Sequence, residues 1–338
     1  MRYSFFYALA GSMLFLDINS MKVFALLAAL IVLSSCSIKK EEALFSVVTH
    51  NAYALFDSVE SGMEYDGFDF KSGYDADVYR ERIKQYAQFI AKYFSSYDVI
   101  LFQEIENETV LSDLLSMGLK RKGYLYYGCA DKLDGYLSVG FISRIKPVDV
   151  IAHGLDGSRL MLEIVFSVNS ERVHIINIHA SSNLSADSEE KRMEEFSLLR
   201  SIMDLNSEEL SIAMGDFNVD LKVGSASLAL KGSQDSIRSP IVVTGDGGAT
   251  KNGVYYSPSV DLMENLGRGT YFYDGVWSSF DSALISKEAF DWEGIEYLSA
   301  EIISPPEARD YSGVPKKFSL SDKSGISDHY AFGVVFQF

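Results

Sequence analysis

The chain has 338 residues, 47% of them hydrophobic and 13% aromatic, which is enough apolar material for one large domain or two small ones and excludes a disordered chain. Acidic residues outnumber basic ones by 47 to 30, and the formal net charge of -17 repels polyanions such as duplex DNA at long range. That weakens a nucleic-acid role without removing it, because a bound divalent cation offsets the repulsion locally.

Residues 1–20 are largely apolar, and a second start is available at Met21. From there the sequence MKVFALLAALIVLSSC places a lysine before an eleven-residue apolar run, Val23 to Leu33, and then small residues up to Cys36. This has the length and flanks of a signal peptide and is short for a transmembrane helix. Leu33-Ser34-Ser35-Cys36 resembles a bacterial lipobox, and the resemblance implies that Cys36 becomes the lipidated first residue of the exported protein. The expected organisation is a leader over 1–36, a tether over 37–43 and a folded domain over 44–338. With Cys36 consumed, Cys129 alone remains, so the fold must stand on its core and not on disulfides.

Leu44 to Asn51 is rich in β-formers and predicts a strand. Tyr79, Ile83, Tyr86, Ile90 and Phe94 recur in steps of three and four and predict an amphipathic helix over Asp77 to Phe94. A strand over Asp98 to Gln103 leads into Glu104. A short helix follows near Thr109 to Met117, then strands near Tyr124–Gly128, Ser138–Ser143, Leu160–Val168 and Val173–His179. Met193, Phe196, Leu199 and Met203 mark a second amphipathic helix, Leu210 to Met214 a strand before Gly215-Asp216-Phe217-Asn218, and Tyr330 to Phe338 a last strand. Between Leu221 and Arg268 the pattern loosens into Gly, Ser, Asp and Asn, and a long surface excursion is expected there. Strands interleaved with helices predict an α/β or α+β core.

Polar residues gather at the ends of the apolar runs: Asn51, Glu104, Asn177 with His179, Asp216 with Asn218, Asp281, and Asp328 with His329. Singly, each has a plainer reading. Glu104 suits the start of the next helix, Asp216 and Asn218 are good turn formers, and a lone histidine is more often buried and satisfied than catalytic. Together they offer oxygen ligands of the kind Mg²⁺, Mn²⁺ or Ca²⁺ prefer, without the thiolate cluster or close histidine pair of a zinc site. Two histidines and a further aspartate add what phosphoester hydrolysis needs: a base for water, an orienter for that base, and donors for phosphate oxygens.

The ordered motifs HNAYALFD, LFQEIEN, NIHASS, GDFN, WSSFDSALIS and SDHYAFGVVF resemble the endonuclease/exonuclease/phosphatase superfamily, the deoxyribonuclease-I-like metal-dependent phosphoesterases. The resemblance spans Leu44 to Phe338 and implies a four-layer β-sandwich of two mixed sheets flanked by helices, with the site at one end. It implies that Asn51 and Glu104 hold the ion with Asp328 near it, and that Asp216 and Asn218 orient or activate water. It further implies that His329, paired with Asp281, is the main acid/base residue, while His179 donates to phosphate or assists the leaving group. His50, where many relatives carry another residue, is expected to pack beneath the site, and Arg144 is a weak phosphate-contact candidate.

The substrate is left open among DNA, RNA, phospholipid and inositol phosphate, with an exported nuclease favoured. Lys120-Arg121-Lys122 and Lys316-Lys317 are the few basic patches, and Tyr271-Phe272-Tyr273 with Trp277 could stack on bases or pack in the core. A monomer attached to the cell envelope by its lipid is expected, with Mg²⁺ as the first-choice cofactor. A non-catalytic surface lipoprotein is the alternative from a different class. A serine hydrolase lacks its G-x-S-x-G elbow, and the glycines at Gly245 and Gly248 lack phosphate-loop or dinucleotide spacing.

Overall fold

Side-chain alternation along the strands builds the layers. In β1 (Leu44–Leu55), Phe45 and Val47 enter one apolar core while Val48 enters another, and in β2 (Val99–Ile105) Val99 and Leu101 face the first core while Ile100 and Phe102 face the second. The computed structural model describes residues 43–130, 137–156, 158–182, 188–221, 224–225, 241–245 and 248–338. The expected leader over 1–36, with Cys36, and nearly all of the tether lie outside these residues. Ala43–Phe338 forms one compact unit.

The remaining strands are β3 (Tyr126–Cys129), β4 (Ser138–Ser143), β5 (Asp149–His153), β6 (Met161–Val168), β7 (Glu171–His179), β8 (Leu210–Asp216), β9 (Gly224–Ser225), β10 (Val242–Thr244), β11 (Val254–Tyr256), β12 (Tyr271–Tyr273), β13 (Val276–Ser278), β14 (Asp281–Ile285), β15 (Glu296–Ile303) and β16 (Ala331–Gln337). Among the described residues one sheet has the order β15-β16-β1-β2-β4-β3 and the other β5-β6-β7-β8-β14-β11-β10-β9, with β12 and β13 forming a separate hairpin. Both large sheets are mixed: β1 pairs parallel with β2 and β7 parallel with β8, and most of the other pairs are antiparallel.

Helices α1 (Ala76–Tyr93) and α2 (Glu108–Ser116) cover the outer face of the first sheet. Asp75 caps α1 by accepting from the Asp77 and Val78 amides, and Asn107 caps α2 in the same way, so each helix begins where a side chain satisfies its first amides. α3 (Ser188–Leu205) lays Phe196, Leu199, Ile202 and Met203 on Ile176, Ile178 and Ala213 of the second sheet, and α4 (Pro258–Leu266) follows β11. The result is the expected helix, sheet, sheet, helix sandwich.

One expectation needs correction. The stretch from Leu221 to Arg268 is not a surface excursion throughout: β10 and β11 extend the second sheet and α4 follows them, with Val243, Tyr255 and Ser257 buried. Strands of three residues are too short to show a period. The edge strands β5 and β15 and the hairpin β12–β13 were also absent from the sequence reading.

Candidate active site

Strand direction brings the polar ends together. β1 and β2 are parallel with Asn51 beside Gln103, so both deliver their C-terminal ends to one edge. His179 lies beside Asp216 across the parallel pair β7–β8, and Asp281 opens β14 directly opposite Asp216. β16 runs antiparallel to β1, so Asp328 and His329, just ahead of it, arrive at the same place.

His329 is the pivot. Its Nδ1 lies 2.7 Å from Asp281 Oδ2, and its Nε2 stands 3.9 Å from both Asp216 Oδ2 and Asp328 Oδ1. Burial opposes a charged ring here, yet Asp281 by charge and hydrogen bond, with Asp216 and Asp328 beyond it, holds the imidazole pKa well above its usual value. The backbone is fixed as well: the His329 amide donates to Ser327 Oγ at 3.0 Å, and Ser327 Oγ donates to the Asn51 carbonyl at 2.7 Å. Thr270 Oγ1 accepts from the Asp281 amide at 3.0 Å, and the Tyr271 ring lies 4.7 Å from the His329 ring.

Asp216 accepts at Oδ1 from the Asn218 amide, 2.9 Å, and at Oδ2 from Asn51 Nδ2, 3.1 Å. Burial pushes its pKa up, Asp281 adds to this and His329 opposes it, leaving Asp216 at about 6. Asn218 joins it by a turn, not by strand alternation: β8 ends at Asp216, Asn218 takes φ +51°, and its Nδ2 donates to the Ala180 carbonyl at 2.9 Å. Gly215 is required just before, since a Cβ there would sit 1.9 Å from the Ile178 carbonyl oxygen.

His179 Nε2 lies 3.6 Å from Asp216 Oδ2 and 3.9 Å from Glu104 Oε1. Burial, with Arg159 and His329 nearby, holds its pKa well below the usual value, so this ring is neutral where His329 is charged. Arg159 also donates to the Ala180 carbonyl at 3.3 Å. Glu104 belongs to β2 and not to a helix start: its Oε2 accepts from the Ala54 amide at 2.8 Å and its Oε1 from Asn51 Nδ2 at 3.2 Å.

Among the described residues no three His, Cys, Asp or Glu side chains converge into a ready-made metal cage. What the mouth offers is oxygen: the Glu104 and Asp328 side chains are 22% and 32% exposed, against 2% for Asp216 and none for Asp281. Burial raises the Asp328 pKa, with His329 opposing the rise and the neighbouring Glu104 adding to it. One or two carboxylates plus waters is the usual donor set of Mg²⁺, so these residues fit a hard divalent ion.

The sequence profile of the Endonuclease/Exonuclease/phosphatase family matches residues 46–337. The chain belongs to that family. Its fold is shared with a humanized TDP2 of D. rerio carrying 14 mutations, at a TM-score of 0.55 and 14% identity over 87% of this chain and 98% of that one. An endonuclease/exonuclease/phosphatase family protein of Bacteroides thetaiotaomicron gives 0.52 and 15% over 88% and 99%, and an AP endonuclease of Archaeoglobus fulgidus 0.50 and 13% over 86% and 99%. No curated protein matches.

Within this phosphoester hydrolase family, two candidates take other roles here. Arg144 is at the wrong end of the sandwich, because β4 runs antiparallel to β2 and its C-terminal end lies beside Val99. There Arg144 donates to the Lys122 and Ser95 carbonyls and lies over the Tyr124 ring, so Lys120-Arg121-Lys122 is remote from the site too. Asn177 is fully buried between the sheets: its Nδ2 donates to the Phe102 and Gly140 carbonyls and its Oδ1 accepts from Gln103.

His50 packs beneath the site as expected, its Nδ1 2.7 Å from Tyr86 Oη and its Nε2 3.3 Å from the His329 carbonyl, with burial pushing its pKa down to about 4. The aromatic run divides: Tyr271 lies on His329, Trp277 stacks on Tyr330, and Tyr273 at the hairpin tip is exposed. Lys317, over the Tyr53 ring, is a cation at the mouth. Ser327, Thr270, Tyr53 and Ala54 escaped sequence reasoning because they contribute backbone and hydroxyl groups whose direction depends on the fold.

Proposed function

We propose that the protein is a divalent-metal-dependent phosphodiesterase, an exported nuclease tethered to the bacterial envelope through a lipidated Cys36. The observation that carries this reading is the buried His329–Asp281 pair facing Asp216, beside the partly exposed carboxylates of Glu104 and Asp328. Glu104 and Asp328, with the Asn51 amide beside them, would hold a Mg²⁺, Mn²⁺ or Ca²⁺ ion, which would supply positive charge to the phosphoryl group.

The chain's own groups handle the protons. Asp216, ionised above about pH 6, accepts a proton from the attacking water as its oxygen bonds to phosphorus. Asn51 and Asn218 keep that carboxylate aimed. His329, charged and oriented by Asp281, donates its Nε2 proton to the oxygen that leaves when the P–O bond breaks. Neutral His179 donates to a phosphate oxygen, and no covalent enzyme intermediate is needed.

Lys317 and Arg159 flank the site with positive charge that suits a phosphodiester of either class, and a nuclease is favoured over a lipid-cleaving enzyme on the nuclease-like arrangement of the GDFN and SDH motifs. One fold neighbour, the D. rerio TDP2, is known in complex with a single-strand DNA product. The test is cleavage of plasmid DNA, RNA, a phosphomonoester, sphingomyelin and inositol phosphates with each ion and with chelator, beside His329→Ala. Chelator-sensitive cleavage of DNA or RNA, lost in His329→Ala with an unchanged circular dichroism spectrum, supports the reading. Cleavage of sphingomyelin alone overturns the nuclease assignment, and undiminished activity in His329→Ala overturns the proton-transfer role.

A further inference from the structure

Between Asn51, which pairs with Gln103, and Leu55, which pairs with Ile105, strand β1 carries three residues opposite the single residue Glu104 of β2. The surplus forms a bulge in which Tyr53 (φ +53°) and Ala54 (φ +48°) both take the left-handed conformation that residues with a Cβ avoid. The peptide planes of this bulge turn their amides toward the site: the Tyr53 N–H donates to Asn51 Oδ1 at 3.0 Å, and the Ala54 N–H donates to Glu104 Oε2 at 2.8 Å. The carbonyls of those two peptide planes, of Ala52 and Tyr53, consequently point the other way, toward the apolar core beneath α1, and the next carbonyl, of Ala54, already accepts from the Phe56 amide at 3.0 Å. Carbonyls left dry there would drive the bulge to rearrange.

Arg82 of α1, itself only 4% exposed, meets all three. Its Nη1 donates to the Ala54 carbonyl at 2.9 Å and to Tyr74 Oη at 3.4 Å, and its Nη2 donates to the Ala52 carbonyl at 3.3 Å and to the Tyr53 carbonyl. The guanidinium is sandwiched by aromatic rings, 4.6 Å from the Phe318 centroid and 5.2 Å from that of Phe68. A lysine could not span three carbonyls with one ammonium while stacking between rings.

We propose that Arg82 is a positioning residue for the metal site: by clamping the carbonyls of Ala52, Tyr53 and Ala54 it holds the left-handed bulge whose amides aim Asn51 and Glu104. It touches neither substrate nor ion, and acts through the backbone of β1. The inference rests on the reading of Glu104 as a metal ligand.

The test is direct Mn²⁺ binding, followed by loss of the free-ion electron paramagnetic resonance signal, in wild type, Glu104→Gln, Arg82→Lys, Arg82→Met and the double variant Arg82→Met/Ala54→Gly. Arg82→Met is expected to weaken Mn²⁺ binding tenfold or more, the range usual for groups that orient a ligand, and Arg82→Lys to weaken it too. Adding Ala54→Gly is expected to restore part of the loss, because glycine takes a positive φ without strain. Leu111→Ala, which destabilises the same core away from the bulge, is expected to bind Mn²⁺ as wild type does and so separates positioning from general loss of stability.

If Arg82→Met fails to fold, Arg82→Lys carries the comparison. Mn²⁺ affinity within threefold of wild type in the folded Arg82 variant, with binding lost in Glu104→Gln, overturns the role of Arg82 and leaves the metal reading standing. No Mn²⁺ binding by wild type, or undiminished binding by Glu104→Gln, overturns the metal reading and this proposal with it.

Discussion

Asn177→Leu removes the amide that bolts the two sheets together while nearly keeping its volume. Three hydrogen bonds are lost, to the Phe102 carbonyl at 3.0 Å, to the Gly140 carbonyl at 2.9 Å and from Gln103 Nε2 at 2.6 Å, all fully buried. At about 1 kcal/mol each they amount to about 3 kcal/mol, and a carbonyl left dry adds about 1–3 kcal/mol. Gln103 keeps Thr49 as a partner at 2.9 Å, and the added methyl groups recover about 1 kcal/mol, so the net loss is about 3–5 kcal/mol. That is a large share of the stability of any domain. Urea unfolding is the assay: with a slope of about 3 kcal/mol/M the midpoint should fall by about 1 M or more. The double variant Gln103→Leu/Asn177→Leu should lose less than the sum of the single changes, since removing both partners leaves fewer orphaned groups. A midpoint shift below about 0.3 M in Asn177→Leu would refute the reasoning and return Asn177 to the candidates for a direct role at the site.

Glu104→Gln should lower metal-dependent turnover by about 100-fold or more and raise the metal concentration needed for half-maximal rate, as measured by titrating Mg²⁺ in the cleavage assay. Cys36→Ala should move the protein from the detergent phase to the aqueous phase on detergent phase partition, and an unchanged distribution would count against a lipid anchor at this residue. His174 bonds Glu163 through Nδ1 at 2.7 Å and Glu209 through Nε2 at 2.5 Å; against the burial penalty these carboxylates raise its pKa above 6.5. It therefore contributes stability fully present below pH 6.5 and lost as pH rises through the folded value. His174→Gln should then lower the melting temperature by about 2–6 °C at pH 6 and by less at pH 9, and an equal drop at both would rule out a charged imidazolium at this position. The partner Glu163 is also buried, but its bonds to His153 and His174 hold it at about 2, so its own contribution fails only as pH falls from about 4.5 through that value.

Much of this was legible in the sequence because burial writes itself into periodicity. The three-and-four spacing of Tyr79, Ile83, Tyr86 and Ile90 is the face α1 turns to the core, and the alternation of Ile175 with Ile176 reports two cores on the two sides of one strand. The same alternation misled at Asn177. It shows that Asn177 and His179 share a face, but that face is the dry interior between the sheets, and only the last residue of the strand reaches the mouth. Arg144 failed for a related reason: the strand motif was recognised, but its direction relative to β2, which decides the end of the sandwich it serves, is not a local property. β5 and β15 were missed because they sit at sheet edges, where exposed residues on both faces erase the contrast that marks a strand.

The three asparagines of the strand ends explain how so acidic a site holds its geometry. Asn51 joins Glu104 to Asp216, Asn218 closes the turn onto the Ala180 carbonyl, and Asn177 ties the sheets behind them. A lysine at position 51 would donate to the same two carboxylates, but its charge would cancel the negative potential that a divalent ion requires and would weaken the hold of Asp216 on the His329 proton. An amide fixes carboxylates without neutralising them. The Arg82 guanidinium is spent on carbonyls on the far side of the β1 backbone. Amide donors among the carboxylates leave room for positive charge supplied from solution, and the carboxylates left most exposed, Glu104 and Asp328, are the ones that would receive it.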